Sequence, residues 1–207
     1  MINCTILKVY LSIQINKYIF VYNKIILMSE PVYFREYMNV KELGSNKQLT
    51  WSGKRGKLTK KFGWTIPNEQ VIEFLTRESK ESPLFEIGAG NGYLSYEIQN
   101  NGGNTVPIDI ATSRNEWVEV QKMSYENLNP KNVSHIILPW PPANSSMGEE
   151  CIRYLNPDVV YFIGKDESNV TGTKKFHKIL QKKYTCSKKL TLPSWTDKPT
   201  VFKKYIT

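Results

Sequence analysis

Cysteine and histidine are scarce in this chain of 207 residues, which has only Cys4, Cys151 and Cys186, and His135 and His177. Three cysteines without paired spacing exclude a disulfide framework and a cysteine-built zinc site. Two histidines argue against a His-rich metal centre or a Ser-His-Asp catalytic triad. No metal is expected, and the default setting is reducing: cytoplasmic, with a nuclear location left open. A long uninterrupted apolar run is also missing. The first 28 residues are apolar but broken by Lys8, Gln14, Asn16, Lys17, Asn23 and Lys24, which a membrane span of about 20 apolar residues would not tolerate. They also lack the compact apolar centre and small-residue cleavage site of a secretory signal. Val9, Leu11, Ile13 and Ile15 alternate with more polar neighbours, as in a strand. An added strand, a non-core or targeting extension, and translation from an upstream start all fit this segment. Met28 opens a more conventional beginning.

Acidic residues are outnumbered, 19 against 28 Lys and Arg, for a net charge of +9. The excess is not uniform: residues 1–61 carry +8, residues 62–157 carry −6 and residues 158–207 carry +7. An acidic middle therefore lies between two basic ends, and total charge alone does not identify a nucleic-acid binder. With 40% hydrophobic and 23% charged residues, the chain is ordinary globular material. Its length favours one domain with appendages. The expected organisation is an N-terminal extension over 1–28, a basic segment over 29–61 and a main domain over 62–207.

Residues 41–61 read as a polar, Gly-containing loop. Asn68 after Pro67 is a plausible N-cap for a helix carrying Val71, Ile72, Phe74 and Leu75. Leu84–Ile87 reads as a buried strand, 93–98 as a helix stopped by Asn101-Gly102-Gly103-Asn104, and Thr105–Asp109 as a second strand that Pro107 would make irregular. Trp117–Gln121 is a weak strand or a loop. Further strands are expected at 134–138 and 158–163, helices at 147–155 and 173–183, and two late strands at 188–192 and 200–205 forming an edge hairpin. Strands alternating with helices imply an α/β fold with a Rossmann-like, doubly wound, mostly parallel sheet and a C-terminal antiparallel hairpin.

The sharpest local feature is Glu86-Ile87-Gly88-Ala89-Gly90-Asn91-Gly92-Tyr93, placed between a strand and a helix. Its glycines allow a tight turn and close approach of a ligand. The spacing is G-x-G-x-G, and Tyr93 stands where the dinucleotide fingerprint would continue towards its last glycine. That disfavours a nicotinamide-dependent oxidoreductase. Asp109 ends the next strand, where a carboxylate can accept both hydroxyls of a ribose.

These residues resemble the class I S-adenosylmethionine-dependent methyltransferases, within them a poorly characterised group, with EIGAGNGY as first motif and the Asp of PIDIA as second. The resemblance runs from about Phe62 to the C-terminus and implies that fold, S-adenosyl-L-methionine as cofactor, and Glu86, Gly88, Ala89, Gly90, Asn91, Gly92 and Asp109 as its binding residues. Gln121, Lys122 or Met123 would lie near the adenine. The resemblance also places Leu138-Pro139-Trp140-Pro141-Pro142-Ala143 beside the sulfonium. Nucleobase amino-methyltransferases have a polar residue before Pro-Pro and an aromatic after it, for a flipped base; here Trp140 and Ala143 replace them. Trp140, Pro141 and Pro142 become the candidate catalytic segment, with Trp140 stacking on substrate, lining the cofactor pocket or simply packing. Phe62-Gly63-Trp64 is a lid or a core anchor. Asp166 and Glu167 are substrate-side carboxylates or exposed loop acids.

Two functions follow as expectations. One is methyl transfer from S-adenosylmethionine to an unidentified acceptor. The other is a catalytically inactive binding module of the same fold that docks an anionic partner through its basic flanks. Lys54, Arg55, Lys57, Lys60 and Lys61, interleaved with Trp51, Phe62 and Trp64, would suit RNA or DNA, or form a solvated basic loop. No membrane partner is expected.

Overall fold

In the computed structural model the described residues are 30–43, 48–111, 115–166 and 170–207, so the readings of residues 1–28 and of Glu167 lie outside them. Residues from Pro31 onward form one unit. Its elements are α1 (Val32–Leu43), α2 (Gln48–Phe62), α3 (Glu69–Glu78), β1 (Leu84–Ile87), α4 (Tyr93–Asn100), β2 (Thr105–Asp109), β3 (Gln121–Lys122), β4 (His135–Pro139), α5 (Met147–Leu155), β5 (Val159–Gly164), α6 (Lys174–Lys183), β6 (Thr185–Leu192) and β7 (Thr200–Ile206). The seven strands lie in the order β3-β2-β1-β4-β5-β7-β6. The first five are mutually parallel, whereas β7 runs antiparallel to both β5 and β6. The sheet is doubly wound and mostly parallel and ends in a C-terminal antiparallel hairpin, as the sequence implies. Among the described residues, no helix is long and apolar enough to cross a membrane.

Local chemistry accounts for most boundaries. Asn68 caps α3 by accepting a hydrogen bond from the Val71 N–H at 3.0 Å, and Val71, Ile72, Phe74 and Leu75 form its buried face. Thr173 caps α6 in the same way, accepting from Phe176 N–H at 3.0 Å, which satisfies a donor the helix itself cannot. Every residue of β5 is buried, as a central strand covered on both faces requires. One core layer joins Ile136, Leu138, Val160 and Phe162 to α5 and α6; the other joins Ile137, Tyr161 and Phe202 to α3 and α4.

Two expectations are corrected. Pro107 does not disturb β2, which keeps parallel register with β1 across Glu86↔Pro107. The Ile108 carbonyl faces β1 and that of Asp109 faces β3, accepting from Met123 N–H. Pro107 shares the outward parity of Asp109, and β3 pairs only with Ile108 and Asp109, so the missing N–H interrupts no ladder. The polar loop expected over 41–61 is helical for most of its length, as the end of α1 and most of α2. Tyr33, Tyr37, Leu58 and Phe62 turn inward at i, i+4 spacing and join Ile66, Tyr93 and Trp195 in a third, aromatic-rich cluster. Tertiary packing overrides the poor helix propensity of Gly53 and Gly56.

Candidate functional site: a glycine loop and three cavities around Trp140

The glycine loop leaves β1 and is stitched to the end of β2. The N–H groups of Gly88 and Ala89 both donate to the Ile108 carbonyl at 3.0 Å, and Gly92 N–H donates to the Ala89 carbonyl at 3.0 Å. Gly92 has φ +74°, and a Cβ there would lie 2.8 Å and 2.9 Å from the Val118 and Val120 methyls. Glycine is therefore demanded twice, by conformation and by space. Gly90, at φ +60°, faces open space instead. The Asn91 side chain is engaged by the fold: its amide donates to the Lys61 carbonyl at 2.6 Å and its oxygen accepts from Tyr93 N–H at 3.3 Å. Trp117 Nε1 donates to the same carbonyl at 2.8 Å. The end of α2 is thus tied to the loop, a connection with no trace in the local sequence.

Asp109 closes the loop from the other side. Its Oδ2 accepts from Gly90 N–H at 2.8 Å and its Oδ1 from Ala111 N–H at 2.9 Å. A carboxylate has about four lone-pair sites, so both oxygens keep capacity for a further donor each. Glu86 is buried and accepts from both the N–H and the hydroxyl of Ser95. Burial pushes its pKa up to about 7; the Ser95 hydrogen bonds oppose this and the Asp109 charge adds to it.

Three cavities converge on Trp140. The first, about 380 Å³, has Gly88, Asp109, Ile110, Met123, Tyr125 and Trp140 in its wall. The second, about 140 Å³, runs along Glu86, Gly88, Gly90 and Asn91 to Trp64 and Trp140. The third, about 400 Å³, is lined by Arg55, Trp64, Trp140, Lys165, Trp195 and Lys198 among others. Trp140 is in the left-handed region at φ +55°, a costly conformation for a bulky residue, worth about 1–3 kcal/mol. It is held there by neighbouring bonds: Trp140 N–H donates to the Ile163 carbonyl and Gly172 N–H to the Pro141 carbonyl, both at 2.7 Å. Pro142 bridges to Thr171. The Trp140 indole stacks on that of Trp64, with centroids 6.1 Å apart and planes 17° apart.

The structure therefore gathers Glu86, Gly88, Ala89, Gly90, Asn91, Asp109 and Trp140 around adjoining cavities. Pro141 is buried and Pro142 exposed, both serving to hold the turn. Of the three residues considered for the adenine side, Met123 lines the first cavity together with Ile110. Ile110 is 74% exposed despite its apolar side chain; its place directly after Asp109 was the signal for it. Phe62 and Trp64 separate in role. Phe62 is 2% exposed, stacked with Tyr33 and Trp117, so it is a core anchor and cannot stack on a nucleobase. Trp64 is 50% exposed at the cavities. Asp166 pairs with Lys189 and Lys203 across the β6–β7 hairpin. Burial raises its pKa, but the bonds from Lys203 and Lys189 outweigh this and hold it below the usual carboxylate range. Neither histidine borders these cavities: His135 bonds to Ser134 Oγ and His177 to the Thr171 carbonyl. Lys54, Lys57, Lys60 and Lys61 are exposed on α2, with Lys61 paired to Glu36 at 2.8 Å.

No protein-family model and no curated protein sequence matches this chain. Solved structures do. An O-methyltransferase from Bacillus cereus in complex with S-adenosylhomocysteine is 12% identical over 82% of this chain and 96% of that one, with a TM-score of 0.49. The magnesium protoporphyrin IX methyltransferase of Synechocystis PCC 6803, with bound S-adenosylmethionine, is 12% identical over 67% and 76%, at 0.47. The tRNA (uracil-54, C5)-methyltransferase of Pyrococcus abyssi is 14% identical over 67% of this chain and 39% of that one, at 0.46.

Proposed function

We propose that the protein binds S-adenosyl-L-methionine in the first two cavities and transfers its methyl group to an acceptor held in the third. The observation that carries this reading is the convergence of the three cavities on Trp140. The residues suit the cofactor. Asp109, braced by two backbone donors, has lone pairs left for a ribose diol. Ile110 and Met123 offer apolar walls for adenine, and the Gly88–Gly92 backbone leaves room for the amino-acid arm. Glu86 beside that arm would favour a cationic ammonium.

When bound, the sulfonium would supply an electrophilic methyl carbon for displacement by the acceptor's lone pair, sulfur keeping the C–S electron pair and any acceptor proton going to water. What the chain itself contributes is alignment and exclusion of water, the main sources of acceleration for an in-line displacement. Trp140, fixed by its bonds to Ile163 and by the Pro141 and Pro142 turn, forms the wall shared by donor and acceptor. No side chain is assigned as general base.

Support for a nucleic-acid partner comes from the exposed Lys54, Lys57 and Lys60 on α2, with Arg55 at the third cavity. The replacement of the amine-binding polar residue by Trp140 favours a second reading, a binding module without turnover. A thermal-shift assay tests the cofactor assignment. S-adenosylhomocysteine should raise Tm in proportion to the logarithm of its concentration, and NAD should not. Stabilisation by NAD alone would overturn the assignment. Cofactor binding without methyl transfer to RNA, DNA, protein or small-molecule panels would select the second reading.

A further inference from the structure

The third cavity has a wall of flat aromatic surface and a rim of positive charge. Trp64 and Trp140 stand nearly parallel. Trp64 is 50% exposed, so part of its indole is open to the cavity. Arg55 lies over the Trp64 ring, its guanidinium carbon 5.4 Å from the centroid. Arg55 is partly buried, and among the described residues its guanidinium forms no ion pair and no side-chain hydrogen bond. A planar fork of five N–H donors beside an aromatic plate suits an anion attached to a flat ring. Exposed Lys198 borders the same space, the Lys165 ammonium is buried and donates to Ser194 Oγ and the Lys198 carbonyl, and Asp197 is the only acid among the described lining residues.

Arg55 stands apart from the other cations of α2. On α2 it shares the inward side with Leu58 and Phe62, whereas Lys54, Lys57 and Lys61 form an i, i+3, i+7 stripe on the exposed side. Round the helix from Arg55, with Lys57 and Lys61 bordering a separate cavity beside Glu116 and Trp117, this row of cations is about 10 Å long, from the helical rise of about 1.5 Å per residue. That is long enough for more than one phosphate.

Resting on the proposed methyl transfer, we infer that the acceptor is a nucleotide unit, its base against Trp64 beside Trp140 and its phosphate facing Arg55. The chemistry is shared by a free nucleotide and a nucleotide within a strand.

Quenching of tryptophan fluorescence, on the full chain with saturating S-adenosylhomocysteine, tests the inference. The probes are AMP, GMP, CMP and UMP, single-stranded RNA and DNA dodecamers, and an acidic peptide of matched charge. Nucleotides should quench, and Trp64→Ala should weaken them by at least about fivefold, as loss of a base–aromatic stack does, with Trp64→Phe restoring most of the affinity. Arg55→Ala should weaken phosphorylated probes but not the matching nucleosides. If dodecamers bind more tightly than mononucleotides, and Lys54→Ala/Lys57→Ala flattens their salt dependence, the nucleotide belongs to a strand. Equal affinities untouched by that pair of substitutions mark a free nucleotide. The inference is overturned if neither mononucleotides nor dodecamers bind, if Trp64→Ala changes nothing, or if the acidic peptide binds equally well. Calorimetric binding of S-adenosylhomocysteine with no nucleotide binding removes only the inference; nucleotide binding without it removes the methyl-transfer reading.

Discussion

The two halves of the site are built by different means. The half proposed to hold the methyl donor, from Glu86 to Asp109, is one contiguous strand–loop–helix–strand unit with bonds inside that unit, such as Gly90 to Asp109 and Gly88 to Ile108, and one tie outward from Asn91 to Lys61. The half proposed to hold the acceptor is assembled from four separated segments: α2 with the Trp64 turn, the Trp140 turn, Lys165 and Val170 after β5, and the 193–199 connection between β6 and β7. It is held by long-range bonds, with Trp195 Nε1 donating to Tyr33 Oη at 2.9 Å and Tyr37 Oη to the Ser194 carbonyl at 2.8 Å. A local unit fixes a backbone geometry for one ligand. An assembly of separate segments can vary its lining while the fold stays constant.

The comparison breaks if the donor loop tolerates what its geometry forbids. Gly92→Ala adds a Cβ in a left-handed residue against Val118 and Val120, and should cost about 3 kcal/mol in denaturant unfolding. Gly90→Ala, facing open space, should cost only about 1 kcal/mol. Equal losses would contradict the division of roles within the loop.

Glu86 gives an effect of similar size through pH. Its folded pKa is raised from the ordinary 4.5 to about 7, chiefly by burial. The stability it contributes is fully present below about pH 4.5 and is lost as the pH rises through about 7, about 3 kcal/mol in all. Glu86→Gln stays neutral, so its unfolding free energy relative to the parent should improve across that window. A constant difference between pH 4 and 8 would refute the assignment. Near pH 7, a ligand ammonium beside Glu86 should also make S-adenosylhomocysteine binding release protons.

The smallest effect lies in the acceptor half. Gly53 and Gly56 are in α2 with open space where a Cβ would sit and no positive φ. Gly53→Ala and Gly56→Ala should each raise stability by about 0.5–1 kcal/mol, seen as a higher Tm. Destabilisation would argue against a helix there.

Legibility in the sequence followed the same division. The alternation of strands and helices, the Asn68 cap, the glycine loop and Asp109 rest on local rules, and all of them appear in the fold where those rules place them. The helix α2 was hidden because its two glycines and its run of cations resemble a loop, and only contacts with Tyr33, Tyr93 and Trp195 reveal its inward face. Asn91 was legible as part of the loop, but its bond to Lys61 spans 30 residues and no periodicity reports it. Phe62 and Trp64 are two positions apart, yet one is interior and the other exposed. That separation is set by Gly63 at φ +90° and by the aromatic neighbours each one meets.

The most direct test is calorimetric titration of the parent protein and Asp109→Ala with S-adenosylhomocysteine. The parent should bind one equivalent, and the substitution should weaken binding by about 10–100-fold through loss of charge-assisted hydrogen bonds while unfolding remains cooperative. Absence of binding to the folded parent at millimolar ligand, or equal affinities for the two proteins, would contradict the account.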